Sequence, residues 1–402
     1  MNEMFRISDF PVDIDPVWAG DGSHLPEWFV SALKVPREEG YVEIDGAKAH
    51  YFRWGDPSKP KVLMTHGFLA HARCFAFIAP FLAEDYDVVA FDLAGMGDSD
   101  MRGRADLLAR GGEFREIAEA LNMFADGQKP TIIAHSFGSG AALTAVTQWP
   151  EAFAGVVVCD LMIMRPALLE EYWNLRRSSP GSGDPDKPSK RYPCYETARK
   201  RYILSPPQPV GEPFLLDYMA YHSLRQDGDE WTWKFSTEVF RRSNKPNEWL
   251  TMGERLVQAP GRKAIVHGGM SQLFTPESAE YVRELGGGDI PIIAVPEARH
   301  HLMLDQPLAF VTALRSILAL WDTHTAATCS LILVVLRPGF PQVRCLPDLA
   351  CRERELPLSV RRPCRCGVQA IVRAAPDRTG RRNSAKQRKH VTGVFRPRWT
   401  MA

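Results

Sequence analysis

Short apolar runs punctuate the chain at near-regular intervals, with longer stretches between them in which apolar positions return every three or four residues. The runs VLMTH (62–66), DVVAFD (87–92), TIIAH (131–135), GVVVCD (155–160), KAIVHG (263–268) and IPIIAVP (290–296) are apolar enough to be strands buried on both faces. Two earlier runs, YVEID (41–45) and AHYFRW (49–54), are separated by GAK and predict an opening hairpin. Residues 72–84, 105–124, 138–149 and 276–285 have helical composition and spacing, and Asp305 with Pro307 marks the start of a last helix. Strands alternating with helices predict an α/β fold: a mostly parallel eight-stranded sheet with helices on both faces.

The alternation fails in two places. Between Leu161 and Arg262 lie about 100 residues that carry a turn-rich stretch, SSPGSGDPDKPSK (178–190), expected to be mobile, followed by patches dense in Tyr and Trp. This interval is expected to be a helical cap inserted after strand 6, over the carboxyl ends of the strands, where open parallel sheets bind ligands. From Thr323 the text loses its period and becomes rich in Arg and Pro, the signature of a poorly ordered basic tail. The expected organisation is an N-terminal extension (1–39), a core in two parts (40–160 and 263–322), the cap (161–262) and the tail (323–402).

Charge sharpens that division. The net +1 of the whole conceals 33 Lys+Arg against 44 Asp+Glu before residue 323 and 16 against 4 after it, so the body carries −11 and the tail +12. The tail leaves open a nucleic-acid or acidic-partner arm, a solvated appendage, or sequence never selected to fold; nucleic-acid binding by the body is not expected. Cys74, Cys159 and Cys194 are scattered and suggest no disulfide framework, and the Cys364–Cys366 pair in the tail is weak evidence for a metal. The acidic N-terminus has no basic leader or apolar core, and the longest apolar run, LILVVL (331–336), is too short to span a bilayer. A cytoplasmic monomer or homodimer is expected.

Chemistry concentrates at four strand ends. TIIAHSFGSG (131–140) puts Ser136 between a strand and a helix, with Ala134 and Gly138 two residues to either side. Such a turn exposes a serine only if both flanking residues are small, because they pack against each other; alanine meets that demand where glycine is usual. The same serine is equally suited to capping the helix. HGF follows the third strand, FDLAGMGDSD the fourth, and EARHHLMLDQP the eighth.

In this order, over residues 40–321, these segments resemble the α/β-hydrolase superfamily, in a serine-nucleophile form whose cap segments RKRYILSPPQP and EWTWKF look like those of bacterial members. The resemblance implies Ser136 as nucleophile, a histidine base in ARHH, either His300 or His301, and oxyanion donors in the amides of Phe68 and Phe137. His66, Asp92 and Asp98 are implied as structural. The acid is open. Relatives often carry it after the seventh strand, where Ser271 stands here, with Glu277 the first carboxylate beyond; Asp160, at the end of the sixth strand, is the alternative seat and the better candidate. Serine chemistry implies acyl transfer to water on a carboxylic ester, lactone or thioester, with C–C bond hydrolysis, perhydrolysis or ligand binding without catalysis as alternatives. Tyr218, Tyr221, Trp231 and Trp233 of the cap are the candidate wall of an apolar pocket for a small-molecule substrate. No cofactor or metal is called for.

Overall fold

The computed structural model describes residues 13–103, 106–177, 186–242 and 249–323, all within the first of the two units into which the chain divides, residues 1–332. The expected basic tail with Cys364 and Cys366, and most of the turn-rich loop at 178–190, lie outside the described residues.

Eight strands form the main sheet: β1 (Glu38–Ile44), β2 (Ala47–Trp54), β3 (Lys61–Thr65), β4 (Asp87–Phe91), β5 (Thr131–His135), β6 (Gly155–Cys159), β10 (Arg262–Gly268) and β11 (Ile292–Val295). Their order is β1-β2-β4-β3-β5-β6-β10-β11. β1 and β2 form the expected antiparallel hairpin, β2 runs antiparallel to β4, and the pairings from β4 to β11 are parallel.

The period of two along these strands sorts their side chains into two cores. Val62, Met64, Val88, Ala90, Ile133, Val157, Cys159, Ala264 and Val266 join the cluster shared with the N-terminal segment and the last helix, Pro307–Thr323. Leu63, Val89, Phe91, Ile132, Ala134, Val156, Val158 and Ile265 join the cluster beneath helices Leu107–Ala120, Phe137–Gln148 and Pro276–Glu284. At about 25 cal/mol per Å² of apolar surface, each such Val or Ile contributes roughly 1.5–3 kcal/mol. β3 to β6 are buried at every residue but Thr131, as their unbroken apolar text predicts, whereas β11 at the sheet edge is largely half-exposed.

Two local expectations need correction. Residues 72–84 form two short 3-10 turns, Ala72–Phe75 and Ala79–Phe81, because Pro80 cannot continue a helix through the segment. The cap is not purely helical. β7 (Arg191–Tyr192), β8 (Leu224–Asp227) and β9 (Glu230–Trp233) form a three-stranded antiparallel sheet beside helix Pro213–His222, with β8 and β9 joined by a tight turn at Gly228.

The N-terminal extension closes over one side of the molecule. Asp13 is buried between Arg37 and Arg73, and its second carboxylate oxygen accepts from the Tyr218 hydroxyl at 3.1 Å. Trp18 and Phe29 pack edge-on against the Tyr218 ring. Among the described residues, no helix is long and apolar enough to cross a membrane.

Candidate active site

Register brings the candidate residues to one edge of the sheet. Thr65 pairs with both Phe91 and Ala134, His135 with Cys159, and Cys159 with Val266, so His66, Asp92, Ser136 and Asp160 each follow a strand at its carboxyl end. The ladder continues one residue past the strands, with the Ser136 amide donating to the Cys159 carbonyl and the Asp160 amide to the Val266 carbonyl, each at 2.8 Å.

Ser136 occupies a conformation rare outside glycine, φ 51° and ψ −117°. That turn lifts its half-exposed side chain off the sheet just before helix Phe137–Gln148 begins. Gly138 makes the turn possible, since a Cβ there would lie 2.5 Å from the His66 carbonyl oxygen. Ala134 is fully buried, so its methyl is accommodated where glycine is usual. Ser139 donates to the Ala134 carbonyl at 2.5 Å and pins the turn from inside.

His300 lies in the loop after β11 and is almost fully buried. Its Nδ1 meets Asp160 Oδ1 at 2.8 Å. Asp160, fully buried and itself at φ 47°, also accepts from the Gly268 amide at 2.8 Å and the Ser271 hydroxyl at 2.6 Å. Glu277 stands apart in the first turn of helix Pro276–Glu284, exposed and 3.4 Å from Arg165, where a carboxylate complements the helix dipole. The structure thus brings Asp160 and not Glu277 to His300.

His301 packs its ring edge-on against that of His300, with 4.9 Å between the centroids. Its amide donates to Gln208 Oε1 at 3.1 Å, and burial drives its ring pKa well below the ordinary value. His135, unremarked in the sequence, donates from Nε2 to the His300 carbonyl at 2.8 Å and so ties the serine turn to the histidine loop. Burial lowers its pKa to about 3, which keeps it neutral. The signal in the text was only its place one residue before the serine.

The HGF loop abuts the turn: a Cβ at Gly67 would lie 3.2 Å from Ser136 Cβ. The Phe68 and Phe137 rings sit 5.3 Å apart, placing the residues that carry the two candidate amides side by side. Phe137 opens its helix, where backbone N–H groups lack helical acceptors. His66 is fully buried with Nδ1 on the Gly67 carbonyl at 2.7 Å, and its Nε2 accepts from the Leu93 amide at 3.1 Å, a structural arrangement. Burial lowers its pKa.

Asp92 and Asp98 build the turn after β4. Asp92 accepts from the amides of Ala72 and Asp98 and meets His50 Nδ1 at 2.8 Å. Burial alone would raise its pKa, but the hydrogen bond and charge of His50 outweigh that and hold it well below the carboxylate range. His50, Asp92 and Asp98 offer ligand atoms within 4.8 Å of one another, a spacing open to a metal ion. Each is already engaged by protein donors or acceptors, with Asp98 paired to Lys234 of the cap at 2.8 Å, so the group is a structural knot.

The four cap aromatics expected to line a pocket do not gather around the serine. Tyr218 is fully buried and Tyr221 gives its hydroxyl to Asp15 at 2.6 Å; both pack between the cap and the N-terminal segment. Trp231 packs with them, 6.0 Å from the Tyr221 ring. The physical reason is that the N-terminal segment supplies the carboxylates that these hydroxyls need once buried. Other cap residues meet the serine's neighbours: Phe240 lies 5.8 Å from Phe68, and Trp249 lies 5.7 Å from Phe137. Phe235 joins Phe240, and Trp233 touches this group only through its stack on Phe235. The buried Arg110 guanidinium sits 5.3 Å from the centre of the Phe137 ring.

With this geometry in place, the comparison with known proteins is direct: the model of the alpha/beta hydrolase family matches residues 62–314. The chain belongs to the alpha/beta hydrolase family. Among curated relatives, it is 29% identical over 118 residues to an uncharacterised hydrolase of Bacillus subtilis, a match covering 29% of this chain and 41% of that protein. It is 26% identical over 124 residues to epoxide hydrolase 1 of Caenorhabditis elegans, covering 30% of each. The chain thus spans less than half the length of either.

Solved structures match more fully. A thioesterase domain from the curacin biosynthetic pathway superposes with TM-score 0.55 at 20% identity, over 70% of this chain and 99% of that one. An esterase from Mycobacterium tuberculosis does so with TM-score 0.54 at 19% identity, over 71% and 92%. At that identity they establish the alpha/beta hydrolase fold.

Proposed function

We propose that this hydrolase cleaves a carboxylic ester, lactone or thioester with a small to medium apolar group, through an acyl-enzyme on Ser136. The observation that carries the reading is the 2.8 Å bond between His300 Nδ1 and Asp160 Oδ1 at the same sheet edge as a serine held at φ 51°. With Nδ1 given to Asp160, the other ring nitrogen of His300 is left to take the serine proton.

In this mechanism Ser136 Oγ attacks the carbonyl carbon while His300 Nε2 accepts its proton. The oxyanion is met by the Phe68 and Phe137 amides, each donor worth roughly 3 kcal/mol of barrier. Collapse expels the alcohol or thiol, protonated by His300, and leaves the acyl group on Ser136. A water, deprotonated by the same nitrogen, then releases the acid. Asp160 holds the imidazolium that forms in each half-reaction through its bond to Nδ1. Phe68, Phe137, Phe235, Phe240 and Trp249 supply the apolar surroundings. Some relatives are named epoxide hydrolases. Epoxide opening through an alkyl-enzyme ester requires a carboxylate nucleophile, and a serine at 136 argues against it.

A fluorophosphonate probe and a series of p-nitrophenyl esters of increasing acyl length test the reading. Labelling of the folded protein, lost in Ser136→Ala together with about 10⁴-fold or more in kcat, is the expected result. Folded wild-type protein that neither labels nor turns over any ester would identify a binder.

A further inference from the structure

The peptide amides on either side of His300 are each held by a side chain. The Arg299 amide donates to Asp305 Oδ2 at 2.6 Å, and the His301 amide donates to Gln208 Oε1 at 3.1 Å. The two acceptors are themselves joined, since Gln208 Nε2 donates to the same Asp305 oxygen at 3.0 Å. Gln208 belongs to the cap, in the loop between helices Tyr195–Arg199 and Pro213–His222, and stands 93 residues before His301 in the chain.

A glutamine suits both ends of this bridge. The His301 N–H needs an acceptor and the Asp305 carboxylate needs a donor; Gln208 offers one of each at its tip, and the two partners fix which way its amide is turned. Asp305 is buried, so Gln208 and the Arg299 amide supply donors that water would otherwise give it. The cap loop has a separate apolar anchorage: Leu204 and Val210, on either side of Gln208, pack into the core shared with the last helix.

We propose that Gln208 is a positioning residue for His300, through which the seated cap loop completes the placement of the base. The proposal rests on the reading of Ser136 as nucleophile and His300 as base. The imidazole serves Asp160 through Nδ1 and Ser136 through Nε2 only over a narrow range of loop positions, and a misplacement of about 1 Å is enough to slow the proton transfer severely. The His135 ring holds the His300 carbonyl at 2.8 Å, and the Met270 amide holds the Ala298 carbonyl at 2.8 Å. Those bonds tie the histidine loop to the core; Gln208 ties it to the cap.

The cap also carries Phe240 and Trp249, which meet the serine's neighbours, so a residue that only holds the cap and one that places the base leave different kinetic traces. Loosening the cap weakens the apolar surroundings of the substrate and raises KM. Displacing His300 leaves binding intact and lowers kcat. It also slows phosphonylation of Ser136, which needs the same proton transfer but little of the apolar wall.

The test measures kcat and KM on a p-nitrophenyl ester, and the rate of labelling by a small fluorophosphonate, using the full chain with native fold checked by circular dichroism. Gln208→Ala is expected to lower kcat and the labelling rate together, each about tenfold, with KM within about twofold of wild type. Gln208→Glu keeps the length and the bond to His301 but sets a carboxylate against Asp305, and loses at least as much. Adding Asp305→Asn removes the repulsion and supplies an N–H for the new carboxylate, so the double variant Gln208→Glu/Asp305→Asn turns over about threefold or more faster than Gln208→Glu. This comparison stands even if Gln208→Ala does not fold. Wild-type kcat in Gln208→Ala, a loss confined to KM, or a double variant no faster than Gln208→Glu overturns the proposal. Turnover that survives Ser136→Ala overturns the underlying reading instead. It is told apart because Ser136→Ala is inactive in every other outcome.

Discussion

Ser136 holds a backbone conformation that costs a non-glycine residue on the order of 1–3 kcal/mol, and its neighbours must supply that energy. Gly138 is the neighbour with no room to change. Gly138→Ala drives a methyl to 2.5 Å from the His66 carbonyl oxygen and is expected to lower stability by about 2 kcal/mol or more in urea unfolding, with activity falling as the turn shifts. Choice of acid is also decided at this scale. Asp160→Asn should reduce kcat on an activated ester by about 10³–10⁴, since an amide in that place favours the wrong imidazole tautomer, whereas Glu277→Gln should leave kcat within about twofold. Equal losses in the two variants would refute the geometry. Ser136, His300 and both acid candidates were legible in the text because motif and strand order mark them. His135 and Ser271 were not, because a hydrogen bond between residues 165 or 111 positions apart leaves no local pattern.

At the scale of elements, the N-terminal segment explains where the cap tyrosines went. Asp13 receives Arg37, Arg73 and the Tyr218 hydroxyl, and its carbonyl faces His222 Nε2 at 3.3 Å, so one residue joins the extension, the core and cap helix Pro213–His222. Burial raises the Asp13 pKa but the two arginines overcome it, leaving the group well below the carboxylate range. Asp13→Ala leaves two arginines facing each other with less counter-charge and is expected to cost about 3–5 kcal/mol by chemical denaturation. A loss under about 1 kcal/mol would mean that the segment contributes little to holding the cap. The cap aromatics expected to gather as a pocket wall pack elsewhere for a related reason. Tyr and Trp supply both an apolar body and a polar tip, and composition cannot tell a lining ring from a packing ring. Burial and the partner of the hydroxyl tell them apart.

Across the whole molecule, a chain of charge runs from the extension to the cap, through Asp13, Arg73, Glu39, His50 and Asp92 to the turn that holds Asp98 against Lys234. Burial works against the charged form of His50, but its bonds to Asp92 and Glu39 push its pKa up to about 9. A folded-state pKa raised above the unfolded value of about 6.5 gives stability that is fully present below pH 6.5 and is lost as pH rises through 9. Unfolding free energy should therefore decline between those limits in the wild type and stay nearly flat there in His50→Gln; parallel curves would dismiss His50 as the cause. The succession of strands along the chain, their alternation with helices and the opening hairpin were determined by the sequence alone, because buried parallel strands and sharp turns impose local patterns on the text. Only the tertiary structure decided that Asp160 and not Glu277 meets His300, that Ser271 backs the acid, and that Phe240 and Trp249 rather than Tyr218 and Tyr221 approach the serine's neighbours. Those are choices among chemically equivalent side chains far apart in the chain, and they are settled by register and packing, which no single segment contains.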